Sequence, residues 1–77
     1  MLIQPIPTAR RLANLSREEA PAASAHDYRA DDGKTLCWRV LFWASDTDAD
    51  NDPGAKAICE VLFAADDPDG TATINRA

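Results

Sequence analysis

The chain has 77 residues and a formal charge of −5, and 45% of its residues are apolar. Fifteen of these are alanine, so the larger apolar side chains suffice for one small domain and not for two. No run of about 18 apolar residues is present, which excludes a transmembrane helix. The first residues lack the basic and apolar regions of a signal peptide, and two cysteines are too few for a disulfide-rich scaffold. We therefore expect a cytoplasmic protein with reduced thiols.

The charge is unevenly distributed along the chain. Residues 1–30 carry a net charge of +1, whereas residues 31–77 carry ten acidic side chains against four basic ones. Within residues 45–70, Lys56 is the only cation against eight acidic residues. Such a negative field attracts cationic partners and repels phosphate backbones, so direct nucleic-acid binding is not expected. The simpler interpretation is that the acidic residues only keep a small domain soluble.

The amino-terminal third predicts an arm, a short helix and a linker. Two prolines indicate that residues 1–7 are extended, and Thr8 is a suitable N-cap for a helix over residues 9–15. Ser16 begins a capping box, with glutamate three residues later. The small, uncharged residues 20–25 are typical of a linker.

The strongest strand signal is residues 35–44, which are rich in aromatic and other β-favouring side chains. An Asp-Gly pair within residues 31–34 predicts a tight turn that joins this strand to residues 27–30. Alternation places an apolar set on the face that we expect to meet the core, namely Leu36, Trp38, Val40, Phe42 and Ala44. The opposite face is mixed, and its members are Thr35, Cys37, Arg39, Leu41 and Trp43.

The second half of the chain contains two further strand candidates. Residues 57–65 fit a strand with one apolar face better than a helix, because their apolar residues show no 3.6-residue repeat. Residues 71–74 are expected to return as a short edge strand. The predicted fold class is therefore α+β, a small antiparallel β-meander of three to four strands with a short N-terminal helix. Within a single compact domain, we expect residues 1–25 to form the arm, helix and linker, and residues 26–77 the β domain with its acidic loop.

Residues 46–52 alternate carboxylates in the manner of a calcium loop. An EF-hand surrounds its cation with oxygen ligands and needs glycine at its sixth position and glutamate at its twelfth. If the loop begins at Asp46, those positions hold Asn51 and Ala57. Weak calcium binding is therefore an alternative function, whereas the simpler interpretation is a solvated acidic loop.

The sequence offers few groups for catalysis or for a metal site. Cys37 and Cys59 lack CxxC spacing, and alternation places them on a mixed face and a core face respectively. Two reduced thiols are the main interpretation, with a disulfide or a metal-binding pair as alternatives. His26 is the only imidazole, and no glycine-rich phosphate loop is present. We expect no enzymatic activity, no cofactor and no bound metal.

Aromatic and acidic residues together predict a protein–protein interface. Trp38 and Phe42 are assigned to the core, whereas Trp43 lies on the mixed face beside the acidic loop. This tryptophan is either an interface anchor or is buried on the second face under the N-terminal helix. The predicted partner-binding residues are Trp43, Asp46, Asp48, Asp50, Asp52, Asp66, Asp67 and Asp69.

The expected function is that of a non-catalytic interaction or inhibitor protein that docks on a larger protein with a basic surface. If that surface normally binds nucleic acid, the acidic patch acts as a nucleic-acid mimic. The chain's brevity and alanine content are typical of bacterial or phage proteins, and small phage inhibitors such as anti-CRISPR proteins are similar in type, not in sequence. A further alternative is a homo-oligomeric structural subunit, such as a homodimer, that pairs sheet edges or apolar faces.

Calcium titration is expected to show no saturable site tighter than roughly 10⁻⁴ M, because the chain lacks the glutamate that closes an EF-hand cage. Isothermal titration calorimetry measures this directly. A stoichiometric heat signal with micromolar affinity would show that the acidic loop is a calcium site.

Overall fold

The four strands of the chain form one antiparallel sheet in the order β1-β2-β3-β4. A computed structural model describes residues 4–45 and 57–77. In chain order the elements are α1 (Pro5–Ala13), β1 (Ala22–Arg29), β2 (Thr35–Trp43), β3 (Cys59–Ala64), α2 (Pro68–Thr71) and β4 (Thr73–Arg76). The α+β meander of four strands with a short N-terminal helix, predicted from the sequence, is confirmed.

Helix α1 begins earlier than the sequence suggested. Pro5 occupies the first turn, where a missing backbone N–H costs nothing and the fixed φ of proline favours the helix. The extended arm predicted for residues 1–7 is therefore wrong from Pro5 onward. Thr8 does not cap the helix, because its own N–H donates to the carbonyl of Gln4 at 3.2 Å within the first turn. The helix ends at Asn14, whose φ of 56° is the left-handed conformation common at helix C-termini.

The capping-box hydrogen bonds predicted at Ser16 close a single turn and not a helix. The hydroxyl of Ser16 accepts the N–H of Glu19 at 3.1 Å, and the Glu19 carboxylate accepts the N–H of Ser16 at 3.4 Å.

The predicted linker over residues 20–25 is wrong, because β1 begins at Ala22 and the boundary at residue 26 falls within this strand. Small side chains have low strand propensity by themselves, so pairing with β2 determines the conformation here.

One face of the sheet, the inner face, packs against α1 and carries the main core. Its buried residues come from the helix, the following turn, β2 and β3, and are Ala9, Ala13, Leu15, Ala20, Val40, Phe42, Cys59, Val61 and Phe63. In β3 alternate residues are buried, so the prediction of a strand over residues 57–65 is confirmed. Burying the larger side chains contributes about 1.5–3 kcal/mol each.

The opposite, outer face carries a second apolar cluster of Ala22, Leu41 and Trp43. Strand alternation correctly placed Trp43 on the opposite face of the sheet from Phe42. The side chain of Trp43, however, is only 2% exposed. Its assignment as an exposed interface anchor is therefore wrong. The alternative is half right, because Trp43 is buried on the second face while α1 covers the inner one. Pairing with Ala22 and contact with Ala57 account for part of this burial.

A β-bulge interrupts the alternation at the start of β2. Tyr28 pairs with Cys37, whereas Arg29 pairs with Thr35, so Leu36 is the extra residue. Leu36 is 53% exposed, and Ala44 at the other end is exposed as well. The expectation that the entire apolar set of residues 36–44 faces the core is therefore wrong at both ends, because the strand is regular only between them.

The turn before β2 has the predicted Asp-Gly chemistry. Gly33 has a φ of +87°, and the N–H of Ala30 donates to the carbonyl of Lys34 at 2.8 Å.

The last strand lies two residues later than predicted. Residues 68–71 form the short helical turn α2, because the hydroxyl of Thr71 donates to the carbonyl of Asp67 and accepts the N–H of Ala64, each at 3.0 Å. Strand β4 then covers residues 73–76. Arg76 donates to the carbonyl of Ala13, where a cation is favoured at a helix C-terminus.

Phe42→Ala is expected to cost about 3–5 kcal/mol of unfolding free energy, because it opens a cavity in the fully buried core. Leu36→Ala is the matched control and should change stability by less than about 0.5 kcal/mol, since that side chain is exposed. Trp38→Ala should fall between the two because Trp38 is half-buried. Urea unfolding followed by circular dichroism measures all three. Similar losses for Phe42→Ala and Leu36→Ala would contradict the bulge.

Candidate partner-binding site

The structure places only part of the predicted site. Asp46, Asp48, Asp50 and Asp52 lie outside the described residues, and Trp43 is buried on the outer face. The three aspartates that follow β3, namely Asp66, Asp67 and Asp69, are exposed. The predicted set is therefore not brought together as one surface within the described residues.

A different acidic surface arises from the antiparallel pairing. Because Cys37 lies opposite both Tyr28 and Ala64, the turn between β1 and β2 and the segment after β3 meet at the same end of the sheet. The N–H of Ala65 donates to the carbonyl of Leu36 at 3.0 Å and joins the two segments directly. We call this surface the acidic end, and its members are Asp31, Asp32, Leu36, Asp66 and Asp67.

The four aspartates of the acidic end are exposed, and within the described residues none of them forms a salt bridge. A carboxylate oxygen of Asp32 accepts the N–H of Lys34 at 2.9 Å, which holds the turn. The carboxylate of Asp67 lies over Gly70, where a β-carbon would stand 2.3 Å from it. The side chain of Asp32 is thus held in place by the backbone beside it.

Two exposed apolar side chains accompany this charge. Leu36 is 53% exposed and Tyr28 is 51% exposed, and both lie at the bulge. Bulges characteristically redirect a side chain away from its regular position. An exposed leucine among carboxylates has the composition of an interface, in which an apolar contact is surrounded by polar groups. Sequence alternation missed Leu36 because it assigned this residue to the core.

Other aspartates near this end are already paired. The carboxylate of Asp69 forms an exposed salt bridge with Arg11 at 2.8 Å and links α2 to α1. Asp27 accepts from Arg29 at 2.6 Å, and this hydrogen bond lowers the pKa of the Asp27 carboxyl. Asp69, which was predicted to bind a partner, therefore has an intramolecular partner in this structure.

The outer face carries a polar network across three strands. Arg39 on β2 donates to Glu60 on β3 at 2.5 Å, and the other oxygen of Glu60 accepts from Asn75 on β4 at 3.0 Å. The hydrogen bond from Arg39, followed by that from Asn75, lowers the pKa of the Glu60 carboxyl. Because all its members are partnered, this network stabilises the sheet and offers no free acid or base.

The described residues do not assemble a metal centre. They contain no group of three or more histidine, cysteine or carboxylate side chains that could hold an ion.

Both cysteines are free thiols. Cys37 is half-buried and Cys59 is buried, and the two lie on opposite faces of the sheet, as alternation predicted. Burial raises the pKa of the Cys59 thiol, which disfavours the reactive thiolate. His26 Nε2 contacts the hydroxyl of Ser24 at 3.1 Å.

None of the helices in the described part of the chain is long and apolar enough to cross a membrane. Comparison of the chain with protein-family models, with curated proteins and with solved structures found no match.

Glu60→Gln is expected to cost about 0.5–1 kcal/mol at neutral pH, because it removes a partly exposed salt bridge with Arg39. The pKa of Glu60 is lower in the folded state than its ordinary value, so its stabilisation is present above the unfolded pKa and is lost as the pH falls through the folded pKa. The difference between wild type and variant should therefore shrink below about pH 4.

Urea unfolding from pH 7 down to acidic pH measures this difference. Glu18→Gln provides the control, because Glu18 is exposed and forms no salt bridge among the described residues. A Glu60→Gln deficit that stays constant across this range would show that the carboxylate charge does not contribute to stability.

Proposed function

We propose that the chain is a non-catalytic interaction protein that docks its acidic end on a basic surface of a larger protein. The observation that carries this proposal is the exposure of Leu36 at an end of the sheet whose adjoining loops carry four exposed aspartates without salt bridges within the described residues. Its expected effect is inhibition, since an acidic surface that occupies a basic nucleic-acid-binding groove competes with the nucleic acid. Such a protein works in the cytoplasm, where its thiols stay reduced.

Charge at the acidic end supports fast association with a cationic surface. Among the described residues of the β1–β2 turn, Lys34 is the exposed cation beside these aspartates. Arg29, at the end of β1, is already paired with Asp27, so it offsets little of their negative charge. Opposite charges on two proteins raise the association rate, and this effect is screened over about 8–10 Å at physiological salt. The antiparallel pairing brings the two loops that carry these carboxylates to the same end of the sheet, which supports a combined negative field there.

Leu36 supports a specific contact as well as a charged one. Arginine and lysine side chains present long apolar stems below their charged groups. An exposed leucine flanked by carboxylates can pack against such stems while the carboxylates accept hydrogen bonds from the cationic ends. Interfaces of this kind depend on a central apolar residue surrounded by polar contacts that exclude water.

The proposal is tested by affinity capture from an extract of the source cell, with two variants of equal charge. In the first variant Asp31, Asp32, Asp66 and Asp67 become asparagine; in the second Asp46, Asp48, Asp50 and Asp52 do. Both remove four negative charges, so net charge is matched. Asparagine preserves the acceptor at Asp32, and Asn-Gly is favoured in a tight turn.

The first variant is expected to lose the captured partner at least several-fold more than the second, mainly through a slower association rate. Leu36→Ala should also weaken capture, through faster dissociation and not slower association. Competition with duplex DNA should release a partner that binds nucleic acid. Equal losses for the two charge variants would contradict docking by the acidic end alone, because residues 46–52 are also predicted from the sequence to bind the partner. Binding unchanged in about 0.5 M salt would exclude electrostatic docking.

A further inference from the structure

We propose that the free edge of β1 pairs with β1 of a second copy of this chain. The two strands would run antiparallel across a two-fold axis and join two four-stranded sheets into one of eight strands. This homodimer does not depend on the acidic end or on any other protein.

Strand β1 is a long edge strand of the described sheet. It contains eight residues, and within the described part of the chain its only strand neighbour is β2. Natural proteins protect such edges with proline, charged side chains, bulges or short strands. Strand β1 has no proline and no lysine, its charged residues Asp27 and Arg29 are paired with each other, and three of its first four residues are alanine. The bulge in its pairing with β2 lies at the far end, where Leu36 of β2 is the extra residue between the pairs of Tyr28 and Arg29.

The opposite edge of the sheet differs in each of these respects. Strand β4 has only four residues, and its Arg76 donates to the carbonyl of Ala13 at the end of α1. A short strand offers too few backbone groups for a stable pairing with a second strand. The sheet therefore favours extension at β1.

Two-fold symmetry restricts how two β1 strands can pair. If the two-fold axis is perpendicular to the sheet, the inner faces of both copies lie on the same side of the joined sheet. A residue on the inner face must therefore pair with an inner-face residue of the second copy, and an outer-face residue with an outer-face residue. The register centred on Ala25 meets this condition and pairs seven residues of each strand. It places Ser24 opposite His26 of the second copy and Ala22 opposite Tyr28 of the second copy. On the inner face, Ala23 lies opposite Asp27.

The side chains brought together by this register are complementary in size and charge. Each large residue faces a small one, and no two like charges are directly opposed, which would destabilise the pair. The hydroxyl of Ser24 already contacts His26 within one chain at 3.1 Å, so each imidazole gains a second serine neighbour. The next possible register, centred on His26, instead opposes two copies of that imidazole directly.

The dimer also covers a side chain that is half exposed in one copy. Tyr28 is 51% exposed on the outer face. Opposite Ala22 of the second copy, it lies beside the outer apolar cluster of Ala22, Leu41 and Trp43. The interface thus extends an existing cluster from both sides of the axis, which supports a second copy of this chain as the occupant.

Sedimentation velocity from about 1 µM to about 1 mM tests the dimer, since weak association falls in this range. The wild-type chain should shift from its 8.3 kDa monomer to twice that mass as concentration rises. Ser24→Asp/His26→Asp should remain monomeric at the highest concentration, because each aspartate then faces another. Ser24→Lys/His26→Lys should behave the same way. An equimolar mixture of the two variants should restore the dimer as a heterodimer.

Thr73→Asp/Ala77→Asp adds the same negative charge at the other edge of the sheet and should leave the dimer intact. Circular dichroism establishes that each variant is folded. A wild-type chain that remains monomeric throughout, or a Ser24→Asp/His26→Asp variant that is folded and dimerises like wild type, would overturn the proposal. The proposal would also be overturned if the Thr73→Asp/Ala77→Asp control dissociated the dimer as much as Ser24→Asp/His26→Asp does.

Discussion

The packing of α1 against the inner face of β2 and β3 is the constraint on which the remaining structure depends. Val40, Phe42, Val61 and Phe63 are almost completely removed from solvent beneath it. A domain of this size has about 4–11 kcal/mol of stability in total, so each of these side chains carries a large fraction of it. The helix can lie close to the sheet because its own contact residues include Ala9 and Ala13. The alanine content, which limits the number of large apolar side chains, therefore also permits close packing of the helix on the sheet.

The acidic end lies where the regular pairing of the sheet ends. Strands β2 and β3 keep a continuous register from Phe42 opposite Cys59 to Cys37 opposite Ala64, and just beyond it the pairing of β1 with β2 is irregular. The bulge occurs there, and it exposes Leu36 next to two loops that are rich in aspartate. Because the pairing is antiparallel, two loops that are far apart in sequence, over residues 30–34 and 65–67, meet at this edge. The candidate surface is thus a consequence of topology and not of a sequence motif.

Sequence reasoning succeeded where periodicity dominates and failed where tertiary contacts decide. The alternation in residues 57–65 correctly predicted β3, because Cys59, Val61 and Phe63 must share one buried face. It missed the first half of β1, residues 22–25, whose small side chains become part of a strand only by pairing with β2. The extra residue at position 36 made the predicted core position of Leu36 wrong, although the alternation from Val40 to Trp43 was predicted correctly. The predicted Asp66 and Asp67 belong to the candidate surface, but their neighbours Asp31 and Asp32 required the sheet register.

Edge pairing and acidic docking combine into one geometry without interfering with each other. The proposed axis passes through Ala25, near the middle of β1, whereas the acidic end lies beyond Arg29 and Thr35, where β1 and β2 join. Because the paired strands run in opposite directions, the two acidic ends would lie at opposite extremes of the eight-stranded sheet. A dimer of this kind presents two equivalent sites, so each basic partner engages one end without steric conflict. When both sites meet one extended basic surface, the second contact becomes intramolecular and binding is strengthened without new residues.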